Sequence, residues 1–202
     1  FPPEKTVFTG NPCSENAIKM IPSEKKEFGL SRDKKFVLCV MGSLGSEKIN
    51  DFFIKSLSLF NGKQYEILFV TGKSSYDKVM ENKFPSNVKI VPYIDNLPRI
   101  MKKADIMVSR AGASALSEII ALKIPSILIP SPYVPDNHQY KNAIDLVNKK
   151  AAILLEEKDL VGDILVRKID EIIFDEAKLN SMKNNLTEFG VLNSSTKIYE
   201  VL

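Results

Sequence analysis

Two short segments that combine glycine with serine or alanine have the composition of loops that bind phosphate groups. Residues 41–46 read Met-Gly-Ser-Leu-Gly-Ser and residues 110–115 read Arg-Ala-Gly-Ala-Ser-Ala, and each stands between an apolar run and a helical pattern. The first N–H groups of a helix have no partner within the helix and bind anions. Glycine also lets the backbone approach a ligand closely. An ordinary strand-to-helix turn explains either segment alone, whereas the pair favours a nucleoside diphosphate.

Glu118 lies within the first two turns of the helix that follows the second segment. A carboxylate at this place stabilises the helix dipole. It is also well placed to accept hydrogen bonds from the two hydroxyl groups of a ribose, and the sequence leaves both roles open. In the first segment, Ser43 adds a hydroxyl group able to donate to a phosphate oxygen.

The segment 130–143 carries a third group of polar side chains, at the start of another helical pattern. Its backbone is restricted by three prolines, Pro130, Pro132 and Pro135, and Pro125 lies shortly before it. Asp136 or Asn137 is suited to cap the helix, which accounts for only one of the polar residues. His138 is the only histidine of the chain, and no hydrolase triad surrounds it in sequence. We therefore expect His138 and Gln139 to contact sugar hydroxyl groups.

The chain lacks the patterns of the common cofactor and metal sites. Its first glycine segment is spaced Gly-x-x-Gly rather than Gly-x-Gly-x-x-Gly, and Thr71-Gly72-Lys73 stands where a nicotinamide site needs an acid. Cys13 and Cys39 have no ligand spacing, so neither zinc nor haem is indicated. We expect no cofactor and no metal ion. Two unpaired thiols are typical of a reducing cytoplasm.

The composition indicates a globular protein of one large domain or two small ones. The 202 residues are 44% hydrophobic and 26% charged. A net charge of +3, with lysines scattered along the chain, does not favour a nucleic-acid partner. No apolar run reaches the roughly 18 residues that cross a bilayer. The N-terminus lacks signal-peptide features and does not begin with Met, so we expect a piece cut from a longer protein.

Apolar runs of strand length alternate with helical patterns from residue 36 onward. Strands are predicted at residues 36–40, 65–70, 88–91, 106–109, 126–129 and 151–155. Such alternation is typical of βαβ units with right-handed crossovers. The predicted fold class is therefore α/β, a Rossmann-like, doubly wound parallel sheet of about six strands. Ligands of such a sheet bind beyond the carboxyl ends of the strands, where the glycine segments lie.

The two ends of the chain depart from this alternation. We predict residues 1–30 to be an interdomain junction or edge segment, with a short strand at residues 6–9. The C-terminal helix at residues 195–202 is expected to pack on a domain absent from this chain. It should therefore expose Ile198, Val201 and Leu202 here.

Several segments, taken together, resemble the C-terminal half of the bacterial MurG-type transferases, which add N-acetylglucosamine to lipid I to give lipid II in peptidoglycan synthesis. The most specific are residues 104–118, with Arg-Ala-Gly-Ala leading to Glu118, and residues 136–143, Asp-Asn-His-Gln-Tyr-Lys-Asn-Ala. Residues 125–130 lie between them in the family's order. Residues 9–12, Thr-Gly-Asn-Pro, resemble the family's interdomain junction, and Gly42 to Gly45 its first glycine loop. Order and spacing agree over nearly the whole chain.

The resemblance implies the C-terminal half of a glycosyltransferase-B fold, in which residues 31–202 form the Rossmann-like domain that binds UDP-N-acetylglucosamine. It implies that Ser43 and the N–H groups around Ala113 to Ala115 bind the diphosphate. The backbone of Ile94 would bind uracil, Glu118 the ribose, and Gln139 with His138 the sugar. The residues expected to bind substrate are Ser43, Ile94, Arg110, Gly112, Ala113, Ser114, Ala115, Leu116, Ser117, Glu118, His138 and Gln139, with Ser14 and Gly42 as further candidates.

Two departures from the family limit what this chain is expected to do. Ser14 stands where the family usually carries arginine near the donor, so we expect weaker donor binding unless a nearby lysine substitutes for the arginine. The family's acceptor site, membrane-docking face and candidate general base lie in an N-terminal domain that this sequence does not include. We therefore expect no catalytic residue here, and a chain that binds donor without turnover.

In the full-length protein the resemblance implies an N-acetylglucosaminyltransferase on the cytoplasmic face of the cell membrane. Lipid I and the membrane would be contacted only through the missing domain. Two other functions stay open: the catalytic subunit of a split two-component UDP-N-acetylglucosaminyltransferase, and a non-enzymatic α/β binding module. The sequence leaves the choice of sugar, the acceptor and the oligomeric state undetermined.

Overall fold

The computed structural model describes residues 2–42, 45–190 and 193–202. Within these ranges six parallel strands form one sheet in the order β3-β2-β1-β4-β5-β6. The strands are β1 (Phe36–Val40), β2 (Glu66–Val70), β3 (Val88–Val91), β4 (Ile106–Ser109), β5 (Ser126–Leu128) and β6 (Ala152–Leu154). The prediction of an α/β fold with a six-stranded, doubly wound parallel sheet is confirmed.

Helices connect the strands and flank the sheet. They are α1 (Pro12–Lys19), α2 (Glu47–Ser56), α3 (Tyr76–Met80), α4 (Pro98–Met101), α5 (Ala113–Leu122), α6 (His138–Asn148), α7 (Ile164–Ile173), α8 (Glu176–Asn185) and α9 (Ser194–Val201). Short 3₁₀ turns supplement them, among them Glu157–Asp159 after β6.

The sheet separates two apolar cores. Val37 and Cys39 of β1 belong to the core that α2 and α7 cover, whereas Leu38 and Val40 belong to the core that α5 and α6 cover. This alternation follows from the two-residue period of a strand, and burial of both faces explains why β1 is apolar at every position. Burial also raises the pKa of the Cys39 thiol above its usual range, so this cysteine packs rather than reacts.

The strand order reverses between β1 and β4. Val40 at the end of β1 pairs with Val70 of β2 on one side and with Ser109 of β4 on the other. The chain leaves β1 into α2 and leaves β4 into α5, on opposite faces of the sheet. The carboxyl ends of these two strands therefore form the topological switch point, where open parallel sheets bind their ligands.

The N-terminal segment is more structured than its sequence pattern indicates. Residues 12–19 form α1, which packs against α5 and α9. The Asn11 side chain accepts a hydrogen bond from the Cys13 N–H at 2.9 Å, and Pro12 occupies the first turn, where no N–H is needed. The strand predicted at residues 6–9 was wrong, because this segment joins no strand of the described sheet. A domain boundary near residue 30 stays a prediction.

The C-terminal helix α9 exposes Val201 and Leu202 as expected, and Tyr199 as well, whereas Ile198 is half-buried. In this chain α9 packs against α1. Of the helices in the described ranges, none has the length and apolar character that a membrane span requires.

Candidate functional site

A cleft of about 690 Å³ opens above the switch point. Its floor includes the carboxyl ends of three strands, at Val40, Val70 and Ser109. Its walls come from the segments that follow β1, β3, β4 and β5. The volume lies within the range of roughly 300–1,000 Å³ that is typical of small-molecule sites.

The first glycine segment borders this cleft through Gly42, Gly45 and Ser46. Gly45 has φ +75°, and a Cβ there would lie 2.1 Å from the carbonyl oxygen of Thr71. The buried Asn50 of α2 donates its amide N–H to that same oxygen at 3.0 Å. The glycine segment therefore passes close to the end of β2 and leaves no room for a side chain at position 45. Ser43, expected to donate to a phosphate, lies outside the described residues.

The second glycine segment presents the N-terminus of α5 to the cleft. Gly112 precedes the helix, and no side chain caps its first turn. The first N–H with an intrahelical acceptor is that of Leu116, which bonds to the Gly112 carbonyl at 2.9 Å, so the N–H groups before it have no acceptor among the described residues. Gly112 has the ordinary φ of −72°, and nothing lies within 4 Å of the place of its missing Cβ. The open space beside it belongs to the cleft.

The N-terminus of α2 faces the same cleft without a side-chain cap. Ser46 is its N-cap residue, yet the Ser46 hydroxyl does not bond to the helix; it accepts an N–H of Arg110 at 2.9 Å. Two helix N-termini therefore converge on one cleft. Their dipoles attract negative charge, and an anion between them would satisfy N–H groups that the described chain leaves unpaired.

Arg110 lines the cleft, but its guanidinium group is held by protein partners. It donates to the carbonyl of Ile129 at 3.1 Å and to Ser46, and it forms an ion pair with Glu157. Both side chains of this pair are largely buried. Arg110 therefore ties the ends of β4 and β5 to α2 and to the turn after β6. Its expected contact with substrate stays a prediction.

Glu118 lines the cleft from the second turn of α5. Burial raises the pKa of its carboxyl group. Within the described residues, no protein group forms a hydrogen bond or ion pair with this carboxylate. A half-buried, unpaired carboxylate is costly to the fold, and a carboxyl group in a cleft whose pKa is raised by burial is a candidate functional group. This arrangement suits a ligand that brings hydrogen-bond donors to Glu118.

The loop after β3 provides the opposite wall through Tyr93, Ile94 and Asn96. Ile94 is buried, but in the part of the chain that the structure describes neither its N–H nor its carbonyl is hydrogen bonded. An unpaired donor and acceptor on one residue match the donor–acceptor edge of a nucleobase. The Lys73 ammonium lies 5.0 Å from the centre of the Tyr93 ring.

The loop after β5 closes the remaining end of the cleft. Gln139 lines it, and its side-chain oxygen accepts the Ser131 N–H at 2.9 Å, which leaves the amide N–H₂ group available. His138 is exposed and outside the lining, and its Nδ1 lies 2.9 Å from the Pro135 carbonyl oxygen. Asn142 of α6 donates to the carbonyl of Ala111 at 3.2 Å and so joins this loop to the second glycine segment.

Not every expected residue reaches the cleft. Leu116 points into the core, and Ser117 donates its hydroxyl to the Ala113 carbonyl at 2.8 Å. Ser117, Ala113 and Ser14 line a separate hollow between α1 and α5. The reason is helical geometry, because successive α5 side chains point about 100° apart and only one face meets the cleft. The expected residues that the structure brings together are Gly42, Ile94, Arg110, Gly112, Ser114, Ala115, Glu118 and Gln139.

Six cleft residues with polar or aromatic side chains were not predicted from the sequence: Ser46, Tyr93, Asn96, Ser109, Ser131 and Tyr133. Tyr93 adjoins Ile94 and Ser109 adjoins Arg110, so widening those choices by one position would have found both, and Ser46 is the last residue of the first glycine segment. Asn96 adopts the left-handed conformation with φ 52°, a conformation in which asparagine is enriched. Tyr133 carried no signal beyond its place in a proline-rich loop.

Comparison with known families decides the assignment. Residues 36–198 match the model of the glycosyltransferase family 28 C-terminal domain. This chain belongs to that family. The resemblance noted from the motifs is thereby confirmed, and the cleft described above is the cleft of a family 28 domain.

Curated relatives extend this result over the whole chain. A protein of Bacillus cereus named UDP-N-acetylglucosamine–N-acetylmuramyl-(pentapeptide) pyrophosphoryl-undecaprenol N-acetylglucosamine transferase is 47% identical over 100% of this chain. A Bacillus pumilus protein of the same name is 42% identical. The alignments cover 57% of each relative, so the chain spans little more than half the length of these proteins.

Solved structures support the fold. MurG of Acinetobacter baumannii superposes with a TM-score of 0.73 at 19% identity, over 88% of this chain and 52% of that protein. A UDP co-structure of MnaA from S. aureus gives a TM-score of 0.69 at 14% identity, over 98% of this chain and 54% of that one. At these identities the likeness concerns the fold alone.

Proposed function

We propose that this chain binds UDP-N-acetylglucosamine as the donor-site domain of an N-acetylglucosaminyltransferase that converts lipid I to lipid II. The observation that carries the proposal is the cleft at the switch point, where two uncapped helix N-termini and the unpaired Glu118 carboxylate meet. The names of relatives up to 47% identical over the whole chain support the choice of sugar and of acceptor.

Each part of the cleft corresponds to one part of the donor. The free N–H groups at the start of α5 and α2 suit the two phosphates, whose charge the helix dipoles stabilise. The unpaired backbone of Ile94 suits the uracil edge, and Glu118 suits the ribose hydroxyl groups. The free amide group of Gln139 then faces the sugar. We keep Ser43, Arg110 and His138 as proposed substrate contacts.

The transfer step needs groups that this chain does not contribute. An acceptor hydroxyl must lose its proton as it attacks the sugar carbon and displaces UDP, and that proton needs a base. Among the described residues that line the cleft, Glu118 alone carries a carboxylate, and its proposed task is to bind ribose. We therefore propose that an N-terminal acceptor domain supplies the base, binds lipid I and contacts the cytoplasmic face of the membrane. Residues 1–30 would form the junction to it.

Neither alternative function gains a supporting observation. Membership of a glycosyltransferase family argues against a non-enzymatic binding module. Each matched relative is a single protein named as the transferase, and this chain covers only 57% of its length. This does not favour a split two-component enzyme.

Gly112→Ala tests the diphosphate site. The added methyl group meets no protein atom and the φ of −72° suits alanine, so the fold should lose no stability and can gain about 0.4–1 kcal/mol. The same methyl group projects into the cleft beside the free N–H groups of α5. Loss of one charge-assisted hydrogen bond should weaken UDP binding at least roughly 10-fold. Isothermal titration calorimetry measures the affinity, and thermal unfolding measures the stability.

Uridine is the matched control ligand because it lacks the diphosphate. Its affinity should differ little between native chain and variant. If the native chain binds neither UDP nor UDP-N-acetylglucosamine at millimolar concentration, the donor-site proposal is refuted. If Gly112→Ala binds UDP as tightly as the native chain, the diphosphate does not lie at α5.

A further inference from the structure

Tyr133 is an aromatic side chain in an unusual position. It lines the cleft, yet it is 73% exposed and therefore contributes little to any core. Its loop contains Pro130, Pro132 and Pro135, and the Tyr133 N–H bonds to the Ser131 hydroxyl at 3.3 Å. Such a loop presents the ring in a restricted position at a low entropy cost. Protein packing does not account for the ring, whereas a ligand in the cleft would.

Lys48 of α2 reaches across the rim of the cleft to this ring. Its ammonium lies 3.5 Å from the Tyr133 hydroxyl oxygen and 5.9 Å from the centre of the ring. These contacts join the helix that follows β1 to the loop that follows β5. An ammonium group and the face of an aromatic ring attract each other, and this attraction restrains the exposed ring of Tyr133.

Lys48 also contacts a buried carboxylate, that of Glu157. Its ammonium lies 3.2 Å from Oε2 of Glu157, whose side chain is only 2% exposed. The other oxygen of Glu157 is paired with the buried Arg110, which also binds Ser46 at the start of α2. The Lys48 side chain is 57% exposed, and its contact with the buried Glu157 carboxylate restrains its ammonium group beside Tyr133.

The location of Tyr133 indicates which part of the ligand it meets. The proposed uridine contacts, Ile94 and Glu118, lie in the loop after β3 and in α5, and the phosphate contacts lie at the starts of α5 and α2. The loop after β5, with Gln139 and Tyr133, is the part of the cleft that remains for the sugar. One face of a hexosamine carries C–H groups that pack on aromatic rings, and ligand clefts commonly provide such a ring.

We propose that the ring of Tyr133 forms a wall of the sugar subsite. We propose further that Lys48, which contacts Glu157 of the Arg110–Glu157 pair, is a positioning residue that holds this ring in place. This inference rests on the proposed function, because it requires a sugar nucleotide in the cleft. It predicts a specific signature: the two residues affect the sugar part of the affinity and leave the UDP part unchanged.

The test compares the affinities of UDP and UDP-N-acetylglucosamine for the whole 202-residue chain. Tyr133→Ala should weaken UDP-N-acetylglucosamine binding roughly 2- to 12-fold, the range of one aromatic contact, and should not change UDP binding. Tyr133→Phe keeps the ring and should retain most of the affinity. Lys48→Met keeps the aliphatic stem and should weaken only the sugar nucleotide, by less than Tyr133→Ala.

A double-mutant cycle separates positioning from direct binding. The double variant Lys48→Met/Tyr133→Ala should bind no more weakly than Tyr133→Ala, because Lys48 acts through the ring. Lys55→Met, which removes an exposed ammonium from the same helix, is the matched control and should change neither affinity. Thermal unfolding verifies that all variants fold, as expected for exposed side chains.

Other outcomes would overturn the inference. Unchanged affinity of Tyr133→Ala for UDP-N-acetylglucosamine excludes the ring from the sugar subsite while native UDP binding still supports the proposed function. A loss of UDP affinity in Lys48→Met shows that the ammonium binds the diphosphate directly, and not through Tyr133. A native chain that binds no UDP refutes both proposals at once.

Discussion

Replacing Glu118 by glutamine should move ligand affinity and fold stability in opposite directions. The carboxylate is half-buried, and in the described part of the chain it has no polar partner. In the proposed complex it accepts hydrogen bonds from ribose, and hydrogen bonds to a charged group contribute about 1.5–3 kcal/mol. Glu118→Gln keeps the shape and removes the charge. The glutamine oxygen can still accept a neutral hydrogen bond of about 0.5–1.5 kcal/mol, so UDP-N-acetylglucosamine binding should weaken by the difference of about 1–1.5 kcal/mol, which is about 5- to 13-fold.

Stability should respond with the opposite sign. Burial raises the pKa of Glu118 in the folded chain above its value in the unfolded chain. A carboxyl group of this kind contributes stability below its unfolded pKa, and the contribution is lost as the pH rises through its folded pKa. At neutral pH the native chain therefore carries a desolvated charge that the glutamine variant lacks. The variant should melt at a higher temperature at pH 7, and the difference should vanish toward low pH.

The same ionisation should appear in binding. Affinity of the native chain should fall as acidification protonates Glu118, and the Glu118→Gln variant should lack this dependence. UDP-N-acetylglucosamine is the appropriate ligand for calorimetry across pH, because the terminal phosphate of UDP itself titrates near pH 6 by analogy with phosphate monoesters. Equal affinity of variant and native chain at pH 7 would refute the ribose role. A lower melting temperature of the variant would show instead that the carboxylate has a stabilising partner.

Two further predictions concern the scaffold beneath the cleft. Gly45→Ala should destabilise the fold by more than the about 1–3 kcal/mol that an alanine in the left-handed conformation costs, because its Cβ would lie 2.1 Å from the Thr71 carbonyl oxygen. Urea unfolding measures the loss. Gly62→Ala is the control: its φ of +73° is similar but its Cβ meets no protein atom, so it should show only the conformational cost. Arg110→Met should cost up to about 3–5 kcal/mol, because it leaves the buried Glu157 with only the exposed Lys48 as an ionic partner, and the double variant Arg110→Met/Glu157→Met should recover much of this loss. A double variant as unstable as Arg110→Met would contradict this account.

Much of the fold was predictable because its strands are buried on both faces. The run Phe36–Val40 is apolar throughout, and the predicted strand has the same bounds as β1. The predictions for β2 and β5 were each one residue too long, at Tyr65 and at Ile129, and the prediction for β6 exceeded the strand by one residue at each end. Helix α1 was missed because it lies in a segment without βα alternation, and its stability depends on packing against α5.

The candidate site was predictable where function depends on local backbone. Gly112 and Glu118 stand at fixed places relative to a helix start, which a sequence pattern shows. The contact from Lys48 to Tyr133 and Glu157 joins residues that are far apart in the chain, and no spacing rule relates them. The place of Ile94 followed only from the family resemblance, because an unpaired backbone N–H is a property of the folded loop.

Several polar groups that border the cleft have no hydrogen-bond partner within the described protein. The N-termini of α2 and α5 carry no side-chain cap, the Ile94 backbone has no partner in the described chain, and Glu118 is desolvated. Each such group costs the fold stability that a capping serine or a paired residue would recover. The surrounding structure is closely packed: Gly45 lies against Thr71, and Asn50 of α2 donates a hydrogen bond to the same Thr71 carbonyl oxygen. A ligand that satisfies all of them at once gains affinity without reorganising the protein, which is the energetic basis of a preorganised donor site.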